Sequence, residues 1–124
     1  KMKTQRLVGD VQFDDGLEII HTPGHTAGSQ CLLVQTKEGV YNIAGDTTHI
    51  LPIAFPQMKS LTLMDGSIMP ITPAPKHFGP AVPSSLVYNH YDWFRSVYRI
   101  QALLRDPKFL LPGHETSIVG KQFG

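Results

Sequence analysis

Short apolar runs separated by polar punctuation fill the first 45 positions. Val11-Gln12-Phe13 alternates, Asp14-Asp15-Gly16 is turn chemistry, and Leu17-Glu18-Ile19-Ile20 resumes an apolar run. Two such runs about an Asp-Gly turn predict a hairpin. The pattern then repeats: residues 31–36 are largely apolar, Lys37-Glu38-Gly39 turns, and Val40-Tyr41-Asn42-Ile43-Ala44 returns. The runs are nearly continuous, which predicts strands covered on both faces. Much later, Trp93, Val97, Ile100 and Leu104 recur at helical spacing and predict a helix over 88–105, with Asp92, Arg95 and Arg99 on its other side. Asn89 can cap its start, Asp92 sits at the positive end of the dipole, and Asp106-Pro107 stops it. Phe109-Leu110-Leu111 predicts a last strand.

Residues 50–87 differ. Pro52, Pro56, Pro70, Pro73, Pro75, Pro80 and Pro83 fall there, and proline removes backbone donors from both helix and sheet. The expectation is a long irregular loop inside the domain, either a functional lid or poorly ordered. The chain shows no internal repeat.

Composition narrows the class. The 124 residues, 41% hydrophobic and 17% charged, fit one globular domain rather than a disordered chain. A net charge of +1 gives no case for nucleic acid or a membrane surface as partner. No stretch of roughly 18 apolar residues exists to span a bilayer. A single cysteine, Cys31, excludes an intrachain disulfide framework and any cysteine-based zinc site. The start, Lys1-Met2-Lys3-Thr4-Gln5-Arg6, has neither an initiating Met nor a signal-peptide apolar core, so the chain is expected to be a piece of something longer. Its expected location is cytoplasmic.

Three segments share one design. Ile19-Ile20-His21-Thr22-Pro23-Gly24-His25 is a strand entering a Pro-Gly turn that ends on histidine. Val40 to Asp46 is a strand entering Gly45 and then a carboxylate. Phe109-Leu110-Leu111-Pro112-Gly113-His114 repeats the first. In each, a strand delivers a sharp turn that presents an imidazole or a carboxylate, as metal and catalytic sites require. A single histidine after a turn is ordinarily a polar loop residue, so the weight rests on the repetition.

The string His21-Thr22-Pro23-Gly24-His25-Thr26-Ala27-Gly28-Ser29 resembles the Thr-Pro-Gly-His element of the metallo-β-lactamase superfamily. Gly45-Asp46 and Leu111-Pro112-Gly113-His114 resemble that family's next two elements, in the same order. The resemblance runs from about Val8 to His114, with the proline-rich segment poorly matched. It implies an α/β fold: the C-terminal half of a four-layer α/β/β/α sandwich, a mostly antiparallel mixed sheet plus helix, occupying residues 1–124. It implies two divalent metal ions, zinc first and iron or manganese as alternatives. His25 would ligate the first metal, Asp46 would bridge both, and His114 would ligate the second. Metals in such sites lower the pKa of water and polarise a scissile carbonyl.

The family's upstream His-x-His-x-Asp-His is missing. No two of the six histidines (His21, His25, His49, His77, His90 and His114) are separated by a single residue. A catalytic zinc ordinarily has about three protein ligands plus water, so this chain alone is expected to bind metal weakly and to be inactive. Its sheet would leave an apolar face exposed, which predicts a partner: the missing N-terminal half, another copy, or both.

The remaining polar residues carry smaller expectations. His49 lies three past Asp46, where lactonase-like members have a tyrosine that helps hold the substrate carbonyl, so it joins Asp46 as a catalytic candidate. His21 reads as structural or supporting. Thr26 and Ser29 read as satisfying the turn backbone, Glu115 as solvated, Cys31 as a small core residue, and the Trp93 stripe as packing. Within the superfamily, the implied activity is hydrolysis of an ester, lactone or thioester, on the lactonase and glyoxalase II-like branch, with a small molecule as substrate. Two alternatives stand beside it. One is a non-catalytic assembly module of the same fold; the other is an unrelated α/β domain with accidental motif matches.

Overall fold

The computed structural model describes residues 3–124; the Lys1-Met2 start lies outside the described residues. Both predicted hairpins form. β1 (Val11–Asp14) pairs with β2 (Leu17–His21), and β3 (Gln30–Gln35) pairs with β4 (Val40–Gly45), each antiparallel. β2 also pairs antiparallel with β3. The last strand, β7 (Leu110–Pro112), lies parallel to β4 and closes a five-stranded sheet of order β1-β2-β3-β4-β7. Phe109 falls in the 3₁₀ turn just before it. The sheet is therefore mixed and mostly antiparallel. β2, β4 and β7 run in one direction, so their C-terminal ends meet along one edge.

The register decides the core. It places Ile20, Cys31, Leu33, Ala44 and Leu110 on one face, and all five are buried. α2 (His90–Leu103) covers that face with Trp93, Val97 and Ile100. Its start is as the sequence predicts: the Asn89 side chain accepts a hydrogen bond from the Asp92 N–H. It ends two residues earlier than expected, and Leu104 packs against the core from beyond its end.

Coverage on both faces, expected from the continuous apolar runs, is only partial. On the opposite face Ile19 and Tyr41 are buried, Leu32, Val34 and Leu111 are half-buried, and Ile43 is 42% exposed. The chain as a whole exposes 8203 Å². A compact monomer of 13.7 kDa exposes about 6600 Å². That face is covered only in part: the Tyr41 ring packs against Phe109 and Phe123, and Ile43 is left open.

Residues 50–87 also depart from expectation, being neither wholly irregular nor detached. They hold a short helix, α1 (Leu51–Ala54), a small hairpin of β5 (Ser60–Thr62) and β6 (Ile68–Pro70), and a 3₁₀ turn at Lys76–Phe78. Pro52 sits in the first turn of α1, where its missing N–H costs nothing. Leu51, Ala54, Ala81 and Val87 anchor the segment in the core. Apolar residues spaced between the prolines outweigh the prolines' disruption.

Candidate metal centre

The C-terminal ends of β2, β4 and β7 bring the three repeated turns together. Asp46 follows Gly45, whose φ of +51° lets β4 turn sharply and present the carboxylate. One Asp46 oxygen, Oδ1, lies 2.9 Å from His114 Nε2; the other, Oδ2, lies 3.6 Å from His25 Nε2. His49 joins them. Its ring centroid is 5.4 Å from that of His25 and 5.2 Å from that of His114. One ligand atom from each of His25, Asp46 and His49 falls within 4.8 Å of the others. Burial holds the His49 imidazole below its ordinary pKa; Asp46 pulls the other way, and the neighbouring imidazoles reinforce burial.

Each turn is held from a distance. His25 Nδ1 donates to the Leu86 carbonyl, 61 residues on, which leaves Nε2 as the ring nitrogen on the Asp46 side. Gly24 makes that turn possible: a Cβ there would fall 2.4 Å from the Trp93 Cα. The Asn89 N–H donates to the Gly24 carbonyl and Ser96 Oγ to the Pro23 carbonyl, so the start of α2 grips the His25 turn. Trp93 Nε1 donates to the Thr47 carbonyl, so the same helix grips the Asp46 turn. Beneath both, the buried hydroxyls of Thr22 and Thr47 lie 3.0 Å apart, and Thr22 contacts the Cys31 thiol.

The third turn is clamped to the second. The Gly113 N–H reaches the Gly45 carbonyl and the His114 N–H the His49 carbonyl. A Cβ on Gly113 would come within 2.9 Å of Asp46 Oδ1, so only glycine permits this approach. Glu115, expected to be solvated, is instead buried. Its carboxylate accepts the Leu51 and Ser117 N–H groups and ties the end of β7 to the start of α1.

The other candidates sit apart from this cluster. His21 Nε2 bonds the Ala27 carbonyl within its own turn, and its N–H donates to Asp10. Thr26 and Ser29 bond each other and the turn backbone. Cys31 is a buried core residue, and burial pushes its thiol pKa up. Sequence reasoning missed the supports from Ser84, whose Oγ lies 3.3 Å from His49 Nδ1, and from Leu86, Ser96 and Glu115. No spacing rule signals partners so far along the chain.

Three imidazoles and one carboxylate, with nitrogen and oxygen donors and no sulfur, suit zinc, iron(II) or manganese(II). The Nε2 of His25 and the divided carboxylate of Asp46 fit such an ion.

No family model matches the chain, and no curated protein matches it in sequence. Solved structures match its fold. An N-acyl homoserine lactone hydrolase with N-hexanoyl-L-homoserine at its catalytic metal centre aligns with a TM-score of 0.57 at 19% identity, over 88% of this chain and 34% of that one. AiiA from B. thuringiensis, a variant with N-decanoyl-L-homoserine at its active site, gives the same values. A quorum-quenching N-acyl homoserine lactone lactonase gives 0.60 at 18% identity, over 92% of this chain and 38% of that one. These are lactonases of the metallo-β-lactamase superfamily, and this chain has the fold of their C-terminal part. It spans about a third of their length. No helix of the described residues is long and apolar enough to cross a membrane.

Proposed function

We propose that this chain carries one side of the active site of a metal-dependent hydrolase of the metallo-β-lactamase superfamily, acting on a small ester, lactone or thioester. The observation that carries the reading is Asp46, with one oxygen toward His25 and the other toward His114. A carboxylate divided in this way would hold divalent metal together with either imidazole. Divalent metal held there, zinc by preference, would supply acidified water and polarisation of a carbonyl oxygen. The chain's own residues hold and orient: His25 presents Nε2 because Leu86 takes its Nδ1–H, Asp46 divides its oxygens, and His114 is fixed by its N–H to His49. In the assembled enzyme His49 faces the substrate carbonyl between the two imidazoles.

The remaining ligands and the cover for the open sheet face come from a second segment or another copy. The excess exposed surface and the exposed Ile43 support that partner. The test is the longest polypeptide its gene encodes, assayed for lactone, ester and thioester hydrolysis with metal added. Asp46→Asn should lose more activity than the ~10–100-fold that removal of an outer-sphere partner costs. Near-full hydrolysis by that variant overturns the reading.

A further inference from the structure

We propose that His49 is a metal ligand, and that with His25 and Asp46 it closes a site for a single divalent transition-metal ion wholly within this chain. This rests on the hydrolase reading for His25 and Asp46, and replaces its placement of His49 against substrate.

The geometry points to it in three ways. First, donors of His25, Asp46 and His49 already lie within 4.8 Å of one another. Ligands sharing one ion at about 2.0–2.2 Å stand roughly 3–4 Å apart, so closure needs only small side-chain rotations. Second, the backbone under His49 is pinned. Asp46 and His49 lie on one turn between β4 and α1. Gly113 and His114 donate to the Thr48 and His49 carbonyls, and Glu115 holds the Leu51 N–H. Third, both imidazoles have an outer partner of the kind ligating histidines use. Leu86 takes Nδ1–H of His25, and Ser84 Oγ stands beside Nδ1 of His49. Both partners come from the same short stretch, 84–86. Two imidazoles and a carboxylate on one side of an ion make a facial set that leaves open positions. His114, already 2.9 Å from the other Asp46 oxygen, can fill one of them.

The experiment is a titration of the metal-free 124-residue chain with Co²⁺, followed by visible absorption and calorimetry. A parallel Zn²⁺ titration follows the ¹⁵N shifts of the histidine rings. One ion per chain is expected, with a ring-nitrogen shift at His49 as well as at His25. His49→Ala and His49→Gln should both weaken binding by more than the ~10–100-fold assigned to outer partners. The emission of the buried Trp93 reports that each variant is folded. The conservative Gln variant covers the case in which Ala does not fold.

Wild-type affinity in a folded His49 variant, or an unmoved His49 ring while His25 and His114 shift, overturns the proposal and leaves the hydrolase reading standing. Absence of saturable binding to the wild-type chain also overturns it. The hydrolase reading then stands or falls separately, on Asp46→Asn in the whole gene product.

Discussion

The two ends of the sheet are built by different means. At the hairpin end the turns look after themselves. Asp14 caps the Asp15 N–H, and Thr36 Oγ1 donates to the Gly39 carbonyl and accepts the Glu38 and Gly39 N–H groups. The Tyr41 hydroxyl donates to Glu38, while its ring packs on Phe109 and Phe123. Every one of those hydrogen bonds spans three residues or fewer. At the opposite end each turn depends on distant chain: Thr47 on Trp93, Pro23 on Ser96, and Leu51 on Glu115, across 46, 73 and 64 residues. The hairpin end only reverses the chain. The other end must hold four polar side chains against one another, an arrangement that no local turn stabilises. That requires scaffolding from α2 and β7.

This difference can be broken. Trp93→Ala should have the largest effect, because it opens a cavity in the core and frees the Thr47 carbonyl. A loss of about 3–5 kcal/mol in urea unfolding is expected, together with weakened metal binding. A stability loss with metal affinity intact in the residual folded protein would separate α2 from the site.

Gly113→Ala follows. Its methyl would meet the Gly45 backbone at 2.8 Å and the Asp46 carboxylate at 2.9 Å. Displacement of that turn should cost about 1–3 kcal/mol. Loss of the cross-peak between His114 and Asp46 neighbours in NMR would show the carboxylate moving away.

Thr36→Ala sharpens the contrast from the other end. It removes a local hydroxyl network and should cost about 1 kcal/mol. Metal affinity should stay at the wild-type value in the same titration, and any fall would show that the two ends are coupled.

The smallest effect is electrostatic. Arg99 forks onto Asp10, and with the His21 N–H it holds the Asp10 carboxyl below the ordinary carboxylate range. A folded-state pKa depressed in this way contributes stability above the ordinary value of about 3.9 and loses it as the pH falls through the folded value. The pair is partly exposed, so about 0.2–1 kcal/mol is expected. Asp10→Asn should remove that part of the acid dependence of the unfolding midpoint and leave the rest unchanged.

Much of the site was legible because its residues follow a repeated local design. A strand, a glycine turn and then a polar side chain marked His25, Asp46 and His114 as candidates, and the structure brings those three together. The same local logic gave both hairpins and the Asn89 cap. It failed at Glu115, which reads as an exposed acid after a loop histidine but is buried, because the N–H groups of Leu51 and Ser117 need an acceptor there. It failed also over 50–87, where proline counting hid the apolar anchors Leu51, Ala54, Ala81 and Val87.

The amino-acid sequence by itself determined the periodic elements and the turn chemistry, because these rest on contacts a few residues long. It also supplied the donor types that a metal accepts. Only the tertiary structure decided which donors share one space. Parallel pairing of β7 with β4 sets His114 against Asp46, and the turn before α1 brings in His49. The carbonyl of Leu86 selects the His25 nitrogen that faces the site. Those relations depend on register and packing between segments far apart along the chain, and no local pattern encodes them.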